Sequence, residues 1–380
     1  MRLNPHMDLA ADAHSQRIQE LDGWRAASVM LVIGYHILGL QHARLVSWSP
    51  LLTQFAFNTG QLGVKIFFVI SGFVICRLLI REEAQTGSVS LKGFYFRRIF
   101  RIIPPFYTYL GAISLLTALG LIHESWQAIL ESGLFSFDLS FTPHSWFVGH
   151  TWSLAIEEQF YLIFPGLWIL MRKSRRAHAA LGIFLLIAAW NLSDVLTRWD
   201  ALTSGNTRAG FACISCGVLM AIHEDGARRI AKIIPAAIVA LAGLVVVVHP
   251  VVPGGWLEAM YESLIVPPAI CLVLCFSLER GPWLRAILRS RPMQAIGLTS
   301  YGIYLWQQLF TAPKSYWSAT GEHMYFSQAG QIITVLLPLL FLIVPFSYFL
   351  IEKPAMRFGK LMSRRIGVSK ALANAGVGSP

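Results

Sequence analysis

The sequence LDGWRAASVMLVIGYH, residues 21–36, opens with charged side chains and continues as an apolar run that carries a histidine near its far end. The apolar run extends over about 24–42, which is long enough to cross a hydrocarbon core of roughly 30 Å as a helix. An ionisable ring at that depth is costly in lipid. The stretch therefore predicts a transmembrane helix that contains an ionisable side chain with a structural or functional role.

The whole chain has the composition of a membrane protein. Of its 380 residues, 55% are hydrophobic and only 13% are charged, and the mean hydropathy is +0.56. We predict an all-α, polytopic helix bundle with about ten spans. They lie at 24–42, 61–80, 102–122, 152–171, 179–196, 207–223, 232–249, 257–277, 294–311 and 330–351.

The basic residues predict the orientation. With a cytoplasmic N-terminus, 26 of the 31 Lys and Arg residues fall on the cytoplasmic side, as the positive-inside rule requires. Both termini are then cytoplasmic, and the first helix is expected to insert itself, because no cleavable signal peptide is recognisable before it. The net charge of +11 is explained by basic residues facing anionic lipid, and a nucleic-acid partner is not expected.

The chain reads as a single membrane domain, residues 18–358, between a cytoplasmic tail, 1–17, and a second tail, 359–380, which we expect to be disordered at its end. The aromatic-rich outer loop 123–151 is expected to fold back towards the membrane. The five cysteines are expected to be buried thiols, since no His/Cys cluster with metal-ligand spacing accompanies them. Any chemistry must then be done inside the bundle.

Arg25 and His36 are eleven residues apart, which places them on one stripe of a helix, three turns from each other. Asp22 precedes Arg25 by three residues and can pair with it. A lone histidine at this depth is either hydrogen-bonded to a neighbouring helix or lines a functional cavity. A neutral imidazole there could also serve as a base or a nucleophile.

Arg98 and Arg101, with Arg97 beside them, open the third predicted span on the cytoplasmic side. They are either anchors of the positive-inside kind or a clamp for a phosphorylated ligand, which suits the guanidinium fork. Pro104 and Pro105 are expected to break this helix and to open a groove beside the arginines.

Glu157 and Glu158 lie one to two turns into the outer leaflet, at the depth predicted for His36. Because adjacent helical positions point about 100° apart, we expect at most one of them to face a given cavity. They either pair with His150, Arg44 or another helix, or serve as acid/base or orienting partners of His36. Ser71 and Gly72 form a thin point of the second span, which favours close helix packing.

Six stretches occur in the order, and at about the separations, seen in the bacterial membrane acyltransferase family 3, and from residue 18 to 358 the chain resembles that family. They are LDGWRAASVMLVIGYH, GVKIFFVISGFVI, FRRIFRIIPPF, HTWSLAIEEQFYLIFP, SYGIYLWQQ and FSYFLIEKPAMRF. The resemblance implies an O-acyltransferase of the bacterial inner membrane. Its members move an acyl group, commonly acetyl, from cytosolic acyl-CoA to a hydroxyl at the outer face.

The resemblance also implies roles for residues. The arginine-x10-histidine pattern of the family corresponds to Arg25 and His36, and its Arg-x-x-Arg pair to Arg98 and Arg101. The family's remaining motifs implicate further residues in catalysis, orientation or substrate binding, namely Asp22, Ser71, His150, Trp152, Ser153, Leu154, Glu157, Glu158, Tyr301, Glu352, Lys353 and Pro354. Two positions depart from the pattern: Gln307 stands where many members have a histidine, and Lys65 where many have an acid.

The predicted mechanism places the phosphates of acyl-CoA, the donor substrate, on Arg98 and Arg101. His36 then acts as the base or as the acyl carrier, with Glu157 orienting it. No permanently bound cofactor is expected, and the acceptor is a glycan, such as O-antigen or exopolysaccharide, or a small molecule. The alternatives are a proton-coupled transporter or flippase with a relay of His36, Glu157 and Lys65, and an inactive scaffold of the same fold.

Overall fold

The computed structural model describes residues 18–39, 50–139, 145–197, 205–247, 256–312 and 337–374. Regular structure within these ranges is helical throughout, which confirms the predicted all-α class. The apolar runs quoted above correspond to helices, since each predicted span overlaps at least one. Three predicted features lie outside the described residues: the tail 1–17, the last part, 375–380, of the tail 359–380, and Arg44.

The helices follow one another along the chain with short connections. They are α1 (Gln19–Gly39), α2 (Pro50–Thr86), α3 (Leu91–Ala118), α4 (Trp126–Gly133), α5 (Thr151–Leu170), α6 (Arg176–Thr197), α7 (Gly205–Ile222), α8 (Glu224–Ile233), α9 (Ala236–Val247), α10 (Trp256–Met260), α11 (Val266–Glu279), α12 (Pro282–Leu288), α13 (Arg291–Leu298), α14 (Ser300–Phe310), α15 (Leu337–Ser347) and α16 (Lys353–Asn374). Two π-helical turns, Tyr261–Ile265 and Tyr348–Glu352, join α10 to α11 and α15 to α16.

Length and apolarity support a membrane protein. Within the described residues, 4 helices are long and apolar enough to cross a membrane, or up to 6 if each of two bent helix pairs counts as one span. One bent pair joins α5 to the helix after it at 117°, and the other joins α8 to α9 at 112°. Ten crossings and the orientation of the termini therefore stay predictions.

The distribution of side chains is that of a protein surrounded by lipid. Large apolar side chains point away from the bundle, with Leu170 80% exposed and Leu186 71% exposed. Polar side chains such as Ser153, His150 and Gln307 are buried inside it. This arrangement is stable where the surroundings offer no hydrogen bonds, because internal polar groups satisfy one another while apolar groups face hydrocarbon.

Helices α2 and α7 form the closest packing in the bundle, as the small residues of the second span predicted. A Cβ on Gly72 would overlap the carbonyl oxygen of Ile214, and a Cβ on Gly217 would overlap that of Val69. Each helix therefore contributes a glycine to the crossing, and the two backbones lie in contact. This contact fixes the position of Ser71, which is adjacent to Gly72.

One prediction about a helix was wrong. Helix α3 runs without interruption from Leu91 to Ala118, so Pro104 and Pro105 lie inside it rather than breaking it. Transmembrane helices tolerate internal proline because neighbouring groups satisfy the backbone carbonyls it leaves free. Helix α16 continues to Asn374, so the described part of the predicted tail, 359–374, is helical, and the predicted disorder at the end of the chain stays a prediction.

The loop 123–151 packs against α3, and its predicted position at the membrane surface stays a prediction. Its segment α4 is held by the hydroxyl of Tyr107, which donates to the Gly133 carbonyl at 2.7 Å. The hydroxyl of Tyr109 donates to the Phe147 carbonyl at 2.6 Å. The loop thereby brings Trp146 over the bundle.

Substituting Gly72 by Ala is expected to destabilise the bundle by about 1–3 kcal/mol, because the added methyl meets backbone rather than a movable side chain. The measurement is the thermal unfolding midpoint of detergent-solubilised protein. Gly111→Ala in α3 is the matched control, since its Cβ would meet nothing within 4 Å. A Gly72→Ala variant as stable as the control would contradict the packing described for α2 and α7.

Candidate active site

A narrow cavity of about 80 Å³ lies between α1, α2, α3, α5 and α14. Its polar lining residues are Arg25, Ser71, Arg98, Arg101, Ser153, Glu157, Glu158, Tyr161, Ser300, Tyr301 and Tyr304. Glu157 and Glu158 were predicted at the depth of His36, but they share this cavity with the arginines and His36 does not line it, so that prediction was wrong. Five helices far apart in the chain therefore bring three cations and two carboxylates to one space.

Two of the three arginines are available to a ligand. Arg25 is held by Asp22, as predicted, with 3.7 Å between Nη1 and Oδ1. Arg98 and Arg101 have no carboxylate within ion-pair distance among the described residues. Arg98 instead lies over the ring of Tyr161, with its Cζ 4.9 Å from the centroid. Unpaired guanidinium groups in a narrow cavity favour an anionic ligand.

The third arginine of this stretch points elsewhere. Arg97 Nη2 pairs with Glu82 Oε2 at 2.8 Å, and Arg97 Nη1 donates to Ser363 Oγ at 2.6 Å. It does not line the cavity. Adjacent arginines thus have separate roles: Arg97 fastens α3 to α2 and α16, while Arg98 faces the cavity.

Both carboxylates of α5 line the cavity, so the prediction that at most one would do so was wrong. The cavity wraps around α5 widely enough to be reached from two adjacent positions. Glu157 Oε1 accepts a short hydrogen bond from the Ser71 hydroxyl, which in turn accepts from the Tyr161 hydroxyl at 3.1 Å. Ser71, which the sequence marked both for close packing and for a role in the site, thus binds this carboxylate.

A pair of hydroxyl groups bounds the cavity towards the outer side. Ser153 Oγ and the Tyr304 hydroxyl lie 2.6 Å apart, and both are within hydrogen-bond distance, 3.1 Å, of the carbonyl oxygen of His150. Ser153 and Tyr304 line the cavity, and His150 does not. These hydroxyls therefore separate the cavity from the layer that contains His150.

His36 lies in that outer layer and does not line the cavity. Its Nδ1 is 2.8 Å from Gln307 Oε1, and its Nε2 is 3.3 Å from Gln308 Nε2. The ring of Trp146 packs edge-on against it, with centroids 5.6 Å apart. The hydrogen-bond partners of His36 are thus two amides of α14, whereas the carboxylate of Glu157 is bound to Ser71.

His36 and the cavity are connected by a series of polar side chains, which we term the polar column. Its first part is the contact series Arg98, Tyr161, Ser71 and Glu157. Its second part is the hydrogen-bonded series Ser153, Tyr304, His150, Gln308 and His36, in which Tyr304 contacts the backbone carbonyl of His150. The cavity, lined by both Glu157 and Ser153, joins the two parts. Arg25 and His36 are separated by about 16 Å along α1, from the helical rise of 1.5 Å per residue. The column therefore extends over about half of a hydrocarbon core.

The remaining residues implied by the resemblance surround this column. Tyr301 lines the cavity and donates its hydroxyl to the Ile102 carbonyl at 3.1 Å. Trp152 packs edge-on against Phe68 at 6.0 Å and does not line the cavity. Glu352 is buried at the end of the second π-helical turn against Gly302, and its Oε1 has no hydrogen-bond partner among the described residues.

Lys65 lies apart from the polar column. It forms a buried ion pair with Glu262 of the first π-helical turn, and the side chains of both residues are 12% exposed. No contact joins Lys65 to His36 or Glu157 among the described residues. The relay of His36, Glu157 and Lys65 considered for a transporter is therefore not assembled in this structure.

The sequence reasoning missed Gln308, Tyr304 and Trp146. Gln308 and Tyr304 both belong to the stretch SYGIYLWQQ. Their spacing of four residues places them on one face of a helix, and this is the one signal in the sequence that pairs them. Trp146 was noted as one of several loop aromatics. Nothing in the local sequence indicates that it reaches α1.

Comparison with known proteins gives one family. A family model described as an acyltransferase domain matches residues 18–352. The peptidoglycan O-acetyltransferase OatA of Listeria monocytogenes is 26% identical over 322 residues, 76% of this chain and 48% of that protein. A Bacillus subtilis protein, "Putative peptidoglycan O-acetyltransferase YrhL", is 24% identical over 390 residues, 94% of this chain and 58% of that protein. The chain spans about half the length of these relatives, and no solved structure matches it.

Substituting Lys65 by Met is expected to destabilise the protein by about 3–5 kcal/mol, because it removes the cationic partner of the Glu262 carboxylate, whose side chain is only 12% exposed. The double substitution Lys65→Met with Glu262→Leu should recover most of that loss. Unfolding of the single and double variants in detergent, followed by circular dichroism, measures the coupling. Additive effects of the two substitutions would contradict a buried ion pair.

Proposed function

Since this chain belongs to the acyltransferase domain family, we propose that it is a membrane-embedded O-acetyltransferase that acts on a glycan. In this proposal acyl-CoA binds from the cytosol, and the acetyl group passes to a glycan hydroxyl on the outer face of the bacterial inner membrane. The polar column is the observation that carries the proposal, because it links an arginine-lined cavity to a histidine deeper in the bundle. The glycan acceptor is supported by relatives named for peptidoglycan O-acetylation.

The donor binds by its phosphates to Arg98 and Arg101. Guanidinium groups that lack a protein carboxylate are suited to bidentate contacts with phosphate oxygens. In this proposal the adenine portion stays outside and only the thin acyl-carrying arm enters the cavity. Arg25, already paired with Asp22, adds positive potential at the same place.

The arm must pass the hydroxyl pair to reach His36. Ser153 and Tyr304 lie within hydrogen-bond distance of each other and of the His150 carbonyl, so one hydroxyl donates to the other while the second donates to the carbonyl. Entry of the donor therefore requires the Tyr304 hydroxyl to move away from Ser153, after which both hydroxyls can bond to amide groups of the arm. The pair would thus keep the passage closed to small ions when no donor is bound.

His36 supplies the proton transfer. As a base, its ring nitrogen takes the proton of the acceptor hydroxyl while that oxygen forms a bond to the acyl carbon. The thioester carbon–sulfur bond then breaks, and the imidazolium returns the proton to the thiolate of CoA. As an acyl carrier, the same nitrogen would attack the acyl carbon and expel the CoA thiolate. The acceptor oxygen would then displace the imidazole from the acyl carbon, and the acceptor proton would pass to the thiolate. Both routes need an unprotonated ring nitrogen.

Glu157 contributes through charge rather than contact. It lies in the cavity, bonded to Ser71, and it shares the space with Arg25, Arg98 and Arg101. A carboxylate at this point would stabilise the transient positive charge formed on the column during proton transfer. Glu158 faces the same cavity and would modulate the same field.

Substituting His36 by Ala is expected to lower the acetyl transfer rate by at least about 100-fold, the usual magnitude for loss of a general base. The measurement is release of free CoA by purified protein in nanodiscs with a glycan acceptor. Folding is verified separately by size-exclusion chromatography. Transfer at the wild-type rate would exclude His36 as the reacting centre, and substrate flux without CoA release would indicate a transporter.

The double variant Arg98→Gln with Arg101→Gln is expected to raise the KM for acyl-CoA at least about tenfold, since two charge-assisted contacts are lost. Arg97→Gln is the matched control, because Arg97 pairs with Glu82 outside the cavity. Its KM should stay within about threefold of wild type. Equal KM values for the double variant and the control would indicate that Arg98 and Arg101 are only membrane anchors.

A further inference from the structure

Two adjacent glutamines enclose the ring of His36. Gln307 Oε1 is 2.8 Å from His36 Nδ1, and Gln308 Nε2 is 3.3 Å from His36 Nε2. Gln308 also contacts a second histidine, with its Oε1 2.5 Å from Nδ1 of His150. Both glutamines are buried, with Gln307 fully enclosed. A single helix turn of α14 therefore contacts both nitrogens of His36.

The orientation of the Gln308 amide is fixed by the backbone. The backbone N–H of His150 points to Gln308 Oε1 at 3.3 Å, and a backbone N–H can only donate. The atom that faces His150 must therefore be the amide oxygen, and the atom that faces His36 must be the amide nitrogen. The same oxygen then accepts from Nδ1–H of His150.

The fixed amide determines which nitrogen of His36 carries the proton. Gln308 Nε2 can only donate, so His36 Nε2 must accept through its lone pair. In a neutral ring the proton is then on Nδ1, which donates to Gln307 Oε1. All of these hydrogen bonds are compatible with one another only in this tautomer.

The two hydrogen bonds of the His36 ring differ in length, and the longer one is at the nitrogen that would react. The bond at Nδ1, 2.8 Å, has the ordinary length, whereas the contact at Nε2, 3.3 Å, is long and weak. An incoming hydroxyl group can displace a weak donor from Nε2 while the Nδ1 bond holds the ring in place. The arrangement thus presents one specific nitrogen to the reaction.

We propose that Gln307 and Gln308 are positioning residues that hold His36 in the Nδ1–H tautomer and direct its Nε2 lone pair to the acceptor. The inference rests on the proposed function and adds to it the identity of the reacting atom. It also gives a role to Gln307, at the position where the sequence departs from the resembled pattern. An amide cannot take up a proton, so Gln307 keeps the proton of His36 on Nδ1 rather than sharing it.

Neutral groups rather than charges set this tautomer. The titratable side chains that face His36 within the described residues are Tyr35, on its own helix with ring centroids 5.0 Å apart, and His150 across Gln308. The indole of Trp146 packs against the ring from the outer loop. The described part of the chain places no carboxylate within ion-pair distance of His36.

The test compares the same substitution at two adjacent positions. In Gln307→Glu the carboxylate accepts from Nδ1–H as the amide oxygen did, so the tautomer is retained. In Gln308→Glu no donor faces Nε2, so both ring nitrogens face acceptors and the imidazolium is favoured. Each variant adds one negative charge beside His36, and in Gln308→Glu the carboxylate keeps the acceptor that faces His150, so each variant serves as the control for the other.

We expect Gln308→Glu to lower kcat at pH 7 at least about 100-fold with an unchanged KM for acyl-CoA, as loss of the base requires. Gln307→Glu should retain at least about a tenth of the wild-type kcat, with its activity declining at a higher pH than wild type on the acid side. Equal losses in the two variants, or a Gln308→Glu variant as active as wild type, would overturn the inference.

A spectroscopic measurement does not depend on the two glutamine variants or on activity. In protein labelled with 15N-histidine, the His36 signals, assigned by their loss in His36→Gln, should show a protonated Nδ1 and an unprotonated Nε2. Protonation at Nε2 in the wild-type protein would overturn the inference. If His36→Ala retained transfer, the proposed function would fail; if His36→Ala were inactive while this tautomer was absent, the inference alone would fail.

Discussion

The need to satisfy every polar group inside a solvent that offers no hydrogen bonds determines the arrangement of this protein. Serine, tyrosine, histidine and glutamine side chains that would be solvated at the surface of a soluble protein bond to one another here across five helices. Each helix position is therefore constrained by a partner on another helix. The polar column is at once the interior of the fold and the candidate active site, and a substitution within it affects both.

The sequence predicts the helices well because their signal is local. An apolar run of sufficient length must become a helix in lipid whatever surrounds it, and a helix lies within every predicted span. The Asp22–Arg25 pair and the small residues at Ser71 and Gly72 are local as well, since one depends on i,i+3 spacing and the other on side-chain size. The availability of Arg98 and Arg101 also follows from their residue type and position.

What could not be predicted depends on contacts between distant segments. The partner of His36 is Gln308, 272 residues away, and it is selected by the way α14 crosses α1 rather than by any spacing in the sequence. Arg97 and Arg98 are adjacent, yet only the packing of α2 and α16 against α3 decides that Arg97 is the one tied to Glu82 and Ser363. For the same reason both Glu157 and Glu158 reach the cavity although helical geometry alone predicted one.

The two π-helical turns end at or contain buried carboxylates, Glu262 in the first and Glu352 in the second. A π-helical turn accommodates one more residue than an α-helical turn, so the residues after it are rotated by about 100° relative to those before it. In each of these long helices, the side chains before and after the π-helical turn can therefore face different directions. One half can keep its apolar face towards lipid while the other turns an acidic residue inwards. A one-residue deletion at either turn would remove this difference in direction without shortening the helix by a full turn.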